Sequence, residues 1–165
     1  MANDVVHTEA LAAARETAAQ PKPQLNLLGM HVEDLSLESP GAVDGCLRLL
    51  NGTAPPNTAI NLRVDAKPIP GQLNVFEVRL SVEVNNTLTV EGGINRTLYR
   101  ADAVLIGVFG LVDVPAEMQD LLLKVVAPNQ LFPYLRELIQ SVTSRTGFGA
   151  TMLPVVDFAN FGKSQ

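Results

Sequence analysis

Between Ala103 and Phe109 the chain is apolar at every position. Ala103, Leu105, Gly107 and Phe109 fall on one side of an extended segment, and Val104, Ile106 and Val108 on the other. Side chains alternate across a strand, so a strand apolar on both faces has to be covered twice. One cover is available further along the chain. Residues 128–148 carry Leu131, Leu135, Leu138, Ile139 and Val142 on one helical stripe, with Arg136, Glu137, Gln140 and Thr143 opposite, the spacing of an amphipathic helix. Pro133 fits its first turn, where a missing N–H costs no intrahelical bond, and Gly147 fits a left-handed stop at its end. The second cover is then left to another subunit or to a bound apolar ligand.

The two-sided strand is predicted over residues 97–112, and three earlier segments alternate cleanly. Over residues 25–38, Leu35 and Leu37 oppose Asp34, Ser36 and Glu38, while Val32 on the polar side calls for a bulge. Over residues 59–67, Ile60, Leu62 and Val64 oppose Asn61, Arg63 and Asp65; over residues 76–84, Phe76, Val78, Leu80, Val82 and Val84 oppose Glu77, Arg79, Ser81 and Glu83. Turn signals separate them at Pro40-Gly41 and Pro70-Gly71, and residues 85–95 read as a hairpin connection. Residues 41–56 read as a long irregular connection, in which Leu47, Leu49 and Leu50 need a docking place or form a binding surface. A short helix is expected over residues 115–126, leading into the long one. The apolar segment 152–161 is expected to pack back onto the fold. The Ala-rich residues 1–24 are read as a flexible arm and residues 25–165 as a single domain.

Several classes of chemistry are excluded by what the chain contains. The net charge of −5 argues against binding a phosphate backbone. The single Cys46 cannot form an internal disulfide and fits a reducing compartment. The N-terminus has neither a basic region nor an unbroken apolar run, and no stretch approaches a membrane span, so a cytoplasmic protein without membrane insertion is expected. His7 and His31 lack ligand spacing, so neither a metal nor a cofactor is expected. The three Asn-x-Thr triplets, at Asn51, Asn85 and Asn95, are read as chance matches to a glycosylation signal. What remains is carboxylates. Asp34 and Glu38 share one strand face and Asp102 lies on the strand 97–112; together they make either a solvated face or a docking site for a basic partner. An apolar-ligand carrier, a hydrolase using Asp102 and a purely structural oligomerisation module are the rival readings.

The ordered set of local motifs narrows the choice. Asp34-Leu-Ser-Leu-Glu-Ser-Pro-Gly-Ala42, Gly107-Val-Phe109, Pro128-Asn-Gln-Leu-Phe-Pro-Tyr134 with Arg136, Ser144-Arg-Thr-Gly-Phe148 and Leu153-Pro-Val-Val-Asp-Phe158 together resemble the bacterial protein-export chaperone family SecB, over roughly residues 31–161. The resemblance implies an α+β fold: a four-stranded antiparallel sheet with a long C-terminal helix and a short helix packed on one side. It implies a homotetramer, as a dimer of dimers. It also implies a chaperone rather than an enzyme, one that holds unfolded preproteins and delivers them to SecA of the Sec translocase without hydrolysing ATP. Asp34, Glu38 and Asp102 match the family's SecA-docking acids, with Asp102 in place of a Glu; Arg100 stands beside them where the pattern has an apolar residue. Tyr99, Ala101, Ala103 and Leu105, with Leu135 and Leu138 of the long helix, are the expected subunit interface. Leu47, Leu49, Leu50 and Phe109 are the expected peptide-binding residues. A specialised member serving a toxin–antitoxin pair is the variant reading.

Overall fold

The structure, a computed structural model, describes residues 22–50, 55–90 and 93–161. The expected arm, residues 1–24, lies outside these but for its last three positions. Strand β1 (Gln24–Glu38) is followed by helix α1 (Ala42–Leu50), then by β2 (Asn57–Pro68), β3 (Val75–Val90) and β4 (Ile94–Val112). Helix α2 (Ala116–Leu121), a π-helical turn (Leu122–Val126), helix α3 (Ala127–Thr143) and a 3₁₀ turn (Ser144–Thr146) complete the elements. The strands form one antiparallel sheet in the order β1-β4-β3-β2. β2, β3 and β4 follow one another as hairpins, and β1 adds to the far side of β4. In the turn between β2 and β3, Gln72 N–H donates to Ile69 at 3.1 Å, and Gly71 takes the φ of +77° that Pro70-Gly71 foretells.

Alternation gives the sheet two faces. Val78, Leu80, Val82 and Val84 of β3 and Tyr99, Ala101, Ala103, Leu105 and Phe109 of β4 point to one of them and are fully buried. They pack with Leu131, Leu135 and Ile139 of α3 and with Leu153 and Phe158 of the returning C-terminal segment. The irregularity expected near Val32 is present: register shifts between Val32 and Asp34, which returns Val32 to the helix-covered face opposite Leu105.

Three sequence expectations change. Residues 41–56 are not irregular throughout, because α1 forms within them, seated so closely that a Cβ on Gly45 would lie 2.5 Å from Leu98 and 2.9 Å from Phe148. The β3–β4 strands run on through Val90 and Ile94, so the connection is far shorter than residues 85–95. The long helix starts earlier than expected and Pro133 lies in its interior. Its upstream turn is π-helical, Ala127 N–H donating to Leu122, next to Pro128, which has no N–H to offer the Lys124 carbonyl.

The polar side of α3 also holds one residue that periodicity misplaces. Thr143 is buried; its hydroxyl donates to Ile139 at 2.6 Å and accepts the Thr151 N–H at 2.9 Å. Tyr99 and Thr151 share a hydroxyl–hydroxyl contact beside it. This latch and Gly147, at φ +82°, end the helix and send the chain back over the core.

Candidate functional site

The sheet face turned away from the helices is read in cross-strand rows. One row runs Asp34, Val104, Ser81, Arg63 across β1, β4, β3 and β2; the next runs Ser36, Asp102, Glu83, Asn61; the third runs Glu38, Arg100, Asn85, Ala59. Asp34, Glu38 and Asp102 therefore share this open face with Arg100. A recess of about 380 Å³ lies among them, lined by Asp34, Arg63, Ser81, Glu83, Arg100 and Asp102.

The charges in the recess divide into held and unheld. Arg100 donates from Nε to Asp102 at 2.9 Å and from Nη2 approaches Glu83 at 3.2 Å, while Asn85 Nδ2 donates to the same Glu83 oxygen at 2.9 Å. The hydrogen bond to Asp102, with the charges of Asp102, Glu83 and Glu38, raises the pKa of the Arg100 guanidinium above its ordinary value. An already strongly basic group whose pKa rises keeps its proton across the whole neutral range. By contrast, the Asp34 and Arg63 side chains make no ion pair or hydrogen bond among the described residues, and Glu38 makes no ion pair.

The same face explains the two-sided strand. Arg79 of β3 and Glu33 of β1 flank β4 from opposite sides, and they join as a two-pronged pair with Arg79 Nη2 donating to Glu33 at 2.7 Å. To meet, they must arch over β4, where Ile106 lies between His31 and Arg79 in its row and is only 2% exposed. The bulge that returns Val32 to the covered face is what turns Glu33 onto this one. The chain thus supplies much of the second cover itself, with aliphatic stems as the roof.

A model of the SecB family, described as preprotein translocase subunit SecB, matches residues 18–165. The chain belongs to the SecB family. Protein-export protein SecB of Mesorhizobium japonicum is 35% identical over 143 residues, spanning 87% of this chain and 78% of that one. Its counterpart in Stenotrophomonas maltophilia is 36% identical over 146 residues, spanning 88% and 78%. Among solved structures, the Mycobacterium tuberculosis Rv1957 SecB-like chaperone, in complex with a peptide from the HigA1 antitoxin, superposes with a TM-score of 0.58 at 14% identity, over 91% of this chain and 96% of that one. At that identity the likeness is one of fold. As a SecB-family member the chain is a protein-export chaperone.

Within this chain, two expected sets need correction. Tyr99, Ala101, Ala103, Leu105 and Leu135 have at most 2% of their surface exposed within the single chain, because α3 covers this side of β4. They have no area left to give a partner and belong to the chain's own core; Leu138 is partly buried beside them. Phe109 is fully buried and cannot line a peptide groove. Leu47 and Leu50 are exposed on α1, and the side chain of Leu49 lies outside the described residues. A cavity of about 330 Å³ opens beneath α1, lined by Pro40, Gly45, Leu88 and Leu98, and a groove of about 600 Å³ runs between α3 and the C-terminal segment, with Phe132, Pro133, Met152 and Val155 on its walls. Among the described residues no cluster of His, Cys, Asp or Glu is arranged to hold a metal, and no helix is long and apolar enough to cross a membrane. Arg63 and Glu83 are the site residues that sequence reasoning missed. Both were visible in the polar alternation, but only the register brings them beside Asp34 and Asp102.

Proposed function

We infer that the chain works in the cytoplasm as an ATP-independent holding chaperone, not an enzyme, which delivers unfolded precursors to SecA by docking it on the open sheet face. The observation that carries the reading is that Asp34, Glu38 and Asp102, drawn from two strands, share this face on the side opposite the helices. Client and motor then occupy different surfaces, as a handover requires. Unfolded segments bind along α1, where Leu47 and Leu50 are exposed beside the 330 Å³ cavity, and along the groove beside α3. Apolar burial there gives broad selectivity, and repeated grooves on one assembly multiply modest affinities.

The assembly is a dimer of dimers. β1 is an edge strand whose Leu27, Met30, Val32 and Leu35, on the helix-covered side, remain 36–43% exposed. A free edge bearing an apolar row is a template for pairing, and a second copy's β1 is the occupant that satisfies both its main chain and its side chains. Residues 25–165 serve as one domain.

The test is Asp34→Lys combined with Asp102→Lys. SecA affinity falls at least about tenfold, equivalent to ~1.4 kcal/mol, while retention of an unfolded precursor persists. Equal loss of both activities would contradict a separate docking face.

A further inference from the structure

The free edge of β1 carries a symmetry of its own. On the helix-covered face stand Leu25, Leu27, Met30, Val32, Leu35 and Leu37. Register shifts between Leu27 and Gly29 and between Val32 and Asp34 lengthen two of the intervals. The steps along the row therefore run two, three, two, three and two residues, the same in either direction about His31. The inner four of the six are exposed, on a strand with one edge unpaired. In an antiparallel pair of identical strands, a two-fold axis sets each residue opposite the one equally far beyond the axis. With the axis at His31, Leu25 of one copy meets Leu37 of the other, Leu27 meets Leu35, and Met30 meets Val32. No other axis matches all six. On the open face the same register sets Glu38 opposite Gln24, Ser36 opposite Asn26, Asp34 opposite Leu28 and Glu33 opposite Gly29, so no acid faces an acid. His31 alone faces itself, with roughly 5 Å between the two Cβ atoms.

We propose that His31 makes this edge pairing sensitive to protons: two neutral imidazoles meet on the axis at alkaline pH, and two imidazolium ions repel each other there in acid. The proposal rests on the β1 assembly read above and adds its regulation. Histidine changes charge between about pH 8 and pH 5, and like charges directly opposite in a sheet disfavour pairing. The surroundings do not offset the repulsion. His31 shares its row with Ile106, Arg79 and Asp65. Glu33, the nearest acid on β1, is held by Arg79, so that anion and cation cancel in each copy. In the row on one side Glu77 is tied to Lys67 at 3.1 Å, and the row on the other side carries Asp34 and Arg63, one charge of each sign. Asp65 lies beyond Arg79, roughly 14 Å from His31. Separated chains accept protons that the pair resists, so association is strongest at high pH and weakens as pH falls. Separation also parts the client grooves whose repetition supplies avidity.

The test is light-scattering molar mass over a dilution series of the full-length chain, at about pH 8 and about pH 5.5 and one fixed salt concentration. Far-ultraviolet circular dichroism at both pH values checks that each protein is folded. The concentration at half dissociation is expected to rise at least about tenfold at the lower pH. In His31→Gln, which keeps a polar side chain without the charge, it stays within about twofold. In His31→Lys, which is charged at both pH values, association is weak at both. No rise in the unaltered chain, an equal rise in His31→Gln, or full association of folded His31→Lys overturns the proton-sensitive axis and leaves the β1 assembly standing. Where His31→Lys loses its fold, His31→Gln decides on the same criterion. Failure of the unaltered chain to associate at the higher pH removes the β1 assembly, and this inference with it.

Discussion

Gly107 sits where β4 passes beneath α3, and a Cβ there would lie 2.6 Å from the Phe109 ring and 2.8 Å from Leu131. Both neighbours are fully buried, so neither has room to retreat. Gly107→Ala is expected to destabilise the fold by about 1–3 kcal/mol, the usual cost of overpacking a close contact, read as a lower denaturant midpoint in urea. An unchanged midpoint would mean that α3 is free to shift on the sheet. Thr143 carries a different kind of constraint, since its hydroxyl is the acceptor for Thr151 N–H. Thr143→Val keeps the shape and strands that donor, and is expected to cost about 1–3 kcal/mol, with faster hydrogen exchange at Thr151. Helical periodicity assigned Thr143 to the solvent face. A short side chain at a helix end can turn inward to cap a crossing segment, and periodicity carries no information about that segment.

Helix α1 marks where local pattern stops being informative. It spans only nine residues, contains Gly45, and is flanked by Pro40-Gly41 and Asn51-Gly52, all of which disfavour an isolated helix. What supports it is docking: Gly45 sits against Leu98 and Phe148, which are 53 and 103 positions downstream of it, so no local window contains the cause. Its outer side leaves Leu47 and Leu50 at 57% and 83% exposure. Leu47→Asp with Leu50→Asp is therefore expected to shift stability by less than about 0.5 kcal/mol, yet to weaken retention of an unfolded precursor about tenfold in a fluorescence anisotropy titration. Retention unchanged would move the client surface to the groove beside α3. The strands are the opposite case. In β2 and β3 the alternation alone marks the elements, because a half-buried strand writes its two faces directly into the sequence.

Alternation does not say which face the helices cover. Tyr99, Ala101, Ala103 and Leu105 were assigned to a subunit interface and belong to the core, while the opposite side, with Asp34, Glu38 and Asp102 in common, is the open one. Register was equally beyond a sequence pattern. The arch of Arg79 and Glu33 over Ile106 and the row joining Asp34 to Arg63 exist only once four strands are aligned. The acidic set was legible because its members match family motifs one by one; the cations among them were not, because their meaning comes from neighbours on other strands. In the proposed function, a tetramer holds an unfolded precursor on one set of surfaces and leaves the open sheet face free. The most direct test is molar mass by light scattering, for the chain alone and then mixed with a secretory precursor during its dilution from denaturant. The account predicts a mass near four chains that shifts to a soluble complex with the unfolded precursor and not with its native form. A monomer that leaves the precursor to aggregate would contradict it.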